Sequence, residues 1–205
     1  MARRQLKKTG EGQRTTDNGQ KLMMLSKAQL RRRARKIKLL LMDVDGVLTD
    51  GRIYYIPNPR GGFYETKTFH ARDGLGLRFA IQGGLKTGIL SGRVSPVVEY
   101  RAKELGIHFI QQHALEKMAP YEKILTAAGV KDEEVCYMGD DIVDLPILMR
   151  VGLAVGVKDG SDLVRRHIHY CTREPGGHAA VRETVELILS AQGKWDAVVK
   201  YFLKI

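Results

Sequence analysis

Short apolar runs alternate along the chain with longer stretches whose apolar residues recur at helical spacing. The runs cover 37–42, 85–90, 107–110, 135–138, 153–157 and 168–171, and the helical stretches cover 74–81, 95–105, 116–128, 144–151, 161–166 and 178–191. Runs with no polar position on either side belong to parallel strands buried on both faces. The alternation predicts an α/β fold, a three-layer sandwich around a mostly parallel central sheet, with ligands held off the carboxyl ends of its strands. One segment departs from it. Residues 51–69 place two β-prone runs, Ile53 to Ile56 and Phe63 to Phe69, on either side of a Pro57-Asn58-Pro59-Arg60-Gly61-Gly62 turn, which predicts a projecting β-hairpin.

Charge divides the chain in another way. The 205 residues carry a formal net charge of +11, but residues 1–38 hold 13 of the 34 Lys and Arg and 2 of the 23 Asp and Glu, which leaves 21 of each sign in 39–205. A basic extension, 1–36, thus precedes a neutral domain, 37–193, and a short tail, 194–205. Residues 1–20 read as disordered and 21–36 as a short basic helix. Contact of 1–36 with nucleic acid, an anionic membrane or a partner is one reading of this charge block, and a solvated extension is the other. No apolar run is long enough to span a bilayer, and the basic start leads into a polar stretch with no apolar signal-peptide segment. Cys136 and Cys171 lie far apart in apolar runs without metal-site spacing, as reduced thiols do. A cytoplasmic enzyme or binding module is expected.

Polar residues gather at the strand ends. The first strand leads into Asp43-Val44-Asp45-Gly46, where two carboxylates and a backbone carbonyl can face one ligand across a tight turn. The next core strand ends in Ser91-Gly92-Arg93, Lys117 opens a helix, and the run at 135–138 ends in Gly139-Asp140-Asp141-Ile142-Val143-Asp144. Carboxylates with a hydroxyl and an ammonium suit a hard divalent cation and a phosphate better than a soft metal.

This ordered set resembles the haloacid dehalogenase superfamily, whose Rossmann-like domain it would adopt. The resemblance implies a phosphatase in which Asp43 is the nucleophile, Asp45 the general acid/base, and Ser91, Gly92 and Lys117 the phosphate-binding groups. Mg²⁺ would be held by Asp43, the Asp45 carbonyl and Asp140, with Asp141 and Asp144 in support. Asp43 and Ser91 are 48 positions apart and Ser91 and Lys117 only 26, so no cap domain fits between them. An uncapped site calls for a large substrate or for closure by another subunit. The aromatic hairpin is the candidate assembly surface.

Within the capless branch, Phe69-His70-Ala71-Arg72-Asp73-Gly74 with Arg78, Ser91-Gly92-Arg93, Ser95-Pro96 with Arg101, and the Gly176-Gly177 loop are similar to the 3-deoxy-D-manno-octulosonate 8-phosphate (KDO 8-phosphate) phosphatases. The similarity runs from about Lys36 to Gly193. It implies a small sugar-acid phosphate as substrate, a homotetramer with an active site between subunits, and a substrate site drawn from Asp45, His70, Ala71, Arg72, Asp73, Gly74, Arg78, Arg93 and Arg101. Arginine suits the substrate's carboxylate because it binds such groups bidentately. His70 and His178 depart from the family pattern, and phosphatases of related 9-carbon sugar acids share the motifs. The C-terminal residues 194–205 are too apolar and helix-like for the flexible tail that relatives carry into a neighbour's site.

Overall fold

A computed structural model describes residues 25–204. Six parallel strands form one sheet: β1 (Leu39–Met42), β4 (Lys86–Leu90), β5 (Phe109–Gln111), β6 (Val135–Gly139), β7 (Leu153–Gly156) and β8 (Tyr170–Cys171), in the order β5-β4-β1-β6-β7-β8. In β1 all four side chains are buried. Leu39 and Leu41 join one core while Leu40 and Met42 join the other. Burial on alternate faces of the sheet stabilises the fold by about 1.5–3 kcal/mol per such side chain.

On the Leu40/Met42 face lie α1 (Lys27–Ala34), α2 (Ala71–Gln82), α3 (Pro96–Leu105), α7 (Ala180–Ala191) and α8 (Trp195–Leu203). The Leu39/Leu41 face carries α4 (Met118–Ala128), α5 (Leu145–Leu148) and α6 (Asp162–Arg165). Ser95 precedes Pro96 at the start of α3, and Gly106, at φ 73°, closes it in the left-handed conformation that ends helices. The region expected to be helical at 144–151 is shorter than its apolar spacing suggests. A 3₁₀ turn at Ile142–Asp144 leads into the single turn α5, with Pro146 in its first positions.

The hairpin is present as β2 (Tyr54–Pro57) and β3 (Phe63–Thr66), paired antiparallel so that Tyr55 faces Glu65. Tyr54, Tyr55, Ile56, Phe63 and Tyr64 are all exposed. No further domain lies between β1 and β4 or between β4 and α4, so the carboxyl edge of the sheet is uncapped. The basic helix is seen from Lys27. The expectations for residues 1–24 fall outside the described residues. Helix α1 rests on the domain: Ala34 is fully buried, Arg33 donates to the Gly152 carbonyl at 2.8 Å, and Arg35 donates to that of Ala191 at 3.1 Å. At the other end, α8 lays Trp195 and Phe202 against Phe79 of α2. No helix among the described residues is long and apolar enough to cross a membrane.

Candidate active site

Four chain segments converge at the carboxyl edge, and each arrives where a core strand or a helix start sets it down. Asp43 follows β1 at the centre of the sheet. Its Oδ1 accepts the Val44 amide at 2.6 Å and its Oδ2 lies 2.9 Å from Lys117 Nζ. Lys117, just before α4, also reaches Asp144 Oδ1 at 2.7 Å and the Tyr137 hydroxyl at 3.3 Å. Asp144 is fully buried and saturated. Its Oδ1 takes the Tyr137 hydroxyl at 2.6 Å beside Lys117, and its Oδ2 takes the amides of Asp140 and Asp141 at 3.0 and 3.3 Å.

Asp43, Asp140 and Asp144 each present a carboxylate oxygen within 4.8 Å of the others. One ammonium cannot balance two buried carboxylates and a third, half-buried one. Burial pushes Asp43 up to about 6, the Asp144 charge adding to it against the pull of Lys117. Asp140 rises to about 7 through burial and the charges of Asp43, Asp144 and Asp141. Lys117 is itself raised, since Asp43 and Asp144 outweigh its burial. Among the described residues no hydrogen-bond donor reaches the Asp140 carboxylate. Gly46, at φ 88°, brings the turn after Asp45 so close that a β-carbon there would overlap it. Only glycine allows both that dihedral and that approach. Acceptor-only groups crowded around a space with surplus negative charge fit a hard divalent cation.

The raised Asp43 and Asp140 carboxyls make the metal-free fold sensitive to pH. Both carboxyls bind protons more tightly in the folded chain than in the unfolded one, so with metal chelated, stability rises as pH falls from 8 through 7 and 6. Asp140→Asn removes one of the crowded charges. In thermal melts in EDTA the variant melts higher than wild type at pH 8, and the difference narrows toward pH 5. Added Mg²⁺ stabilises wild type at pH 8 and not the variant.

Ser91 is buried at the end of β4, with its hydroxyl accepting the Arg93 amide at 3.2 Å around Gly92. Arg93 is half-exposed and turns toward the hairpin. It meets Glu65 Oε2 at 3.0 Å and the Tyr55 hydroxyl at 3.3 Å, with Nε 3.9 Å from Asp45 Oδ2. Lys67, whose side chain is fully buried, closes on Asp45 Oδ1 from the other side. Neither Lys67 nor Glu65 was singled out from sequence. Their signal was the strand alternation, which puts 65 and 67 on one side of the chain leaving β3.

The helix α2 residues separate. His70 caps α2 through its ring, accepting the Arg72 amide at 3.2 Å, and its ring centroid lies 6.4 Å from that of His178. Ala71, Arg72 and Arg78 are exposed. Asp73, expected to face substrate, is instead fully buried and accepts the amides of Ala179 and Arg182 at 3.0 and 2.8 Å. It anchors the start of α7, whose unpaired amides favour a carboxylate. Arg101 pairs with Glu104 at 2.7 Å and lies over Gly74, making no ion pair or hydrogen bond with the Asp43 group. Asp141 is exposed and accepts the amide of Ile142 at 2.7 Å.

Comparison with known proteins agrees with this geometry. Residues 89–181 match the haloacid dehalogenase-like hydrolase family. The 3-deoxy-D-manno-octulosonate 8-phosphate phosphatase of Yersinia pestis is 42% identical over 164 residues, covering 80% of this chain and 86% of that protein. A probable phosphatase of the YrbI family from Pseudomonas syringae superposes with a TM-score of 0.81 at 44% identity, covering 86% of this chain and 98% of that one. The Moraxella catarrhalis 3-deoxy-D-manno-octulosonate 8-phosphate phosphatase, solved with magnesium, phosphate and KDO, superposes with a TM-score of 0.79 at 40% identity, covering 85% and 98%. With an uncapped sheet edge, an acidic cluster at its centre and this likeness over most of its length, the chain belongs to the 3-deoxy-D-manno-octulosonate 8-phosphate phosphatases of the haloacid dehalogenase superfamily.

Proposed function

We propose that the protein is a Mg²⁺-dependent phosphatase that converts 3-deoxy-D-manno-octulosonate 8-phosphate to the free sugar acid and inorganic phosphate. The carrying observation is Asp43, held by a buried ammonium at the mouth of an uncapped sheet beside two further carboxylates. Asp43, the Asp45 carbonyl and Asp140 would hold the cation, with Asp144 fixing Lys117 and the 140–141 backbone. When bound, the cation offsets the repulsion between a carboxylate and a doubly anionic phosphate.

In the first displacement a carboxylate oxygen of Asp43 bonds to phosphorus as the bond to the sugar oxygen breaks, giving an aspartyl-phosphate. The departing alkoxide takes its proton from Asp45. In the second, Asp45 takes a proton from water as that water bonds to phosphorus and the Asp43 oxygen leaves. Asp45 therefore ends as it began. Lys117 and the Ser91 hydroxyl stand ready to stabilise the phosphoryl oxygens. Arg93 and, from a neighbouring copy, Arg101 supply cations for the sugar-acid carboxylate, with His70, Ala71, Arg72 and Arg78 lining the approach; Gly74, expected there too, is buried under Arg101 and offers substrate no face.

A homotetramer with a shared site follows from the same reading. The exposed hairpin rings and the exposed Val94, Leu115, Ile142 and Val143 in the loops after β4, β5 and β6 support it, because large apolar side chains left in solvent are commonly covered by another protein surface. Cys136 and Cys171, both free thiols, suit a reducing compartment such as the cytoplasm. Light scattering on the purified chain checks the assembly. Phe63→Lys with Tyr55→Lys lowers the mass toward a monomer and lowers activity with it.

Phosphate release from a panel of six-, eight- and nine-carbon sugar phosphates tests the function. The eight-carbon acid phosphate is turned over with the highest kcat/KM, and chelation abolishes turnover. A preference for the nine-carbon acid would move the substrate while keeping the chemistry.

A further inference from the structure

Four charged side chains at the site mouth form a closed ring of alternating sign, and two of them come from the hairpin. Lys67 pairs with Asp45 Oδ1, Asp45 Oδ2 lies 3.9 Å from Arg93 Nε, Arg93 meets Glu65 Oε2 at 3.0 Å, and Glu65 Oε1 lies 3.9 Å from Lys67 Nζ. The Lys67 side chain is fully buried, whereas those of Asp45 and Glu65 are about one-fifth exposed and that of Arg93 more so. Lysine is almost never fully buried without a partner, because removing an ammonium from water is costly. Here its near partner is the carboxylate assigned to proton transfer. Among the described residues Glu65 Oε1 accepts no hydrogen bond within normal geometry, and Lys67 Nζ, 3.9 Å away, is the cation it faces.

We infer that Lys67 is a positioning residue for Asp45: from the hairpin's exit it grips one carboxylate oxygen, so that the other is held toward the leaving group and the attacking water. The hairpin is then part of the proton-transfer apparatus as well as an apolar surface. Glu65 holds Arg93 on the opposite side of the ring and keeps that guanidinium from taking the carboxylate away from Lys67. The inference rests on the phosphatase reading above, since it needs Asp45 to act as acid and base.

A proton donor matters most where the leaving group is a poor one. The sugar alkoxide needs a proton as it departs, whereas p-nitrophenolate is stable without one. Because kcat/KM reports events up to the first phosphoryl transfer, the two substrates separate proton donation from everything else the site does. Lys67→Met is expected to lower kcat/KM for 3-deoxy-D-manno-octulosonate 8-phosphate about 100-fold, within the usual range for general acid–base catalysis. The loss for p-nitrophenyl phosphate should be at least tenfold smaller. Lys67→Arg, which keeps the charge, recovers much of the sugar-phosphate activity.

Lys67→Met placed on an Asp45→Asn background should add little, since a residue acting through Asp45 has nothing left to position. Equal losses for both substrates in an otherwise active enzyme, or full additivity in the double variant, would overturn the inference and leave the phosphatase reading standing. A wild-type protein that releases phosphate from neither compound overturns both.

Discussion

Asp43→Asn abolishes phosphate release from 3-deoxy-D-manno-octulosonate 8-phosphate, with a loss of about 10⁴-fold or more, on the scale seen when an enzyme's nucleophile is removed. The amide keeps the shape and can still accept the Val44 amide, so secondary structure and melting remain cooperative. It lacks the anionic oxygen that bonds to phosphorus in the proposed first displacement. It also turns an N–H toward Lys117 Nζ, which lies 2.9 Å from Oδ2 in the native chain. Acid quenching of wild type during turnover, followed by proteolysis and mass spectrometry, should find a phosphoryl group on the peptide containing Asp43 and none in the variant. Retention of more than about a hundredth of wild-type activity would assign the attack to another group.

The second large effect concerns stability as much as rate. Lys117→Met leaves Asp43 and Asp144 without the cation they share. Deleting one member of a buried ion pair costs about 3–5 kcal/mol, because a charge stays behind in a poorly solvating place. That is a large part of the roughly 5–15 kcal/mol that holds a typical domain folded. The midpoint of denaturant unfolding should fall accordingly, and more at pH 8 than at pH 5.5, where Asp43 and Asp140 take up protons. A second change, Asp144→Asn, removes one stranded charge and recovers part of the stability. It recovers no phosphatase activity, because the ammonium proposed to bind the phosphoryl group is still missing. Full stability in Lys117→Met at pH 8 would mean that the carboxylates are neutralised some other way.

The sheet was legible because parallel strands buried on both faces leave unbroken apolar runs, as Leu39 to Met42 does. The strand-end motifs were legible because Asp43, Ser91 and Asp140 each follow such a run directly. What local patterning could not convey was partnership between distant residues. Asp73 sits in a segment whose family likeness points to substrate, yet its oxygens meet the start of α7 more than a hundred positions later. Lys67 looked like one more residue of a β-prone run, and only the folded hairpin brings it to Asp45. The basic helix read as a candidate solvated extension, but Ala34, Arg33 and Arg35 seat it on the sheet's flank. In the 144–151 segment the apolar spacing is helical, but Pro146 lies in the first turn, and only one turn of α-helix forms.

The place of β1 has a consequence for the order of folding. Its two neighbours in the sheet, β4 and β6, lie about 50 and 100 residues further along the chain. A ribosome therefore has to deliver the chain through Asp144 before Asp43 can meet Asp140 and Lys117 can be enclosed by Tyr137 and Asp144. Until then β1, even once β4 has joined it, keeps one edge unpaired on an apolar strand, the kind of intermediate that aggregates or calls on chaperones. Parallel pairings at such separation also fold slowly, since long loops must close before any contact offsets their entropy. The charge cluster that would perform the chemistry thus cannot assemble until β6 and the turn after it have been made, and ending the chain ahead of β6 removes the site altogether.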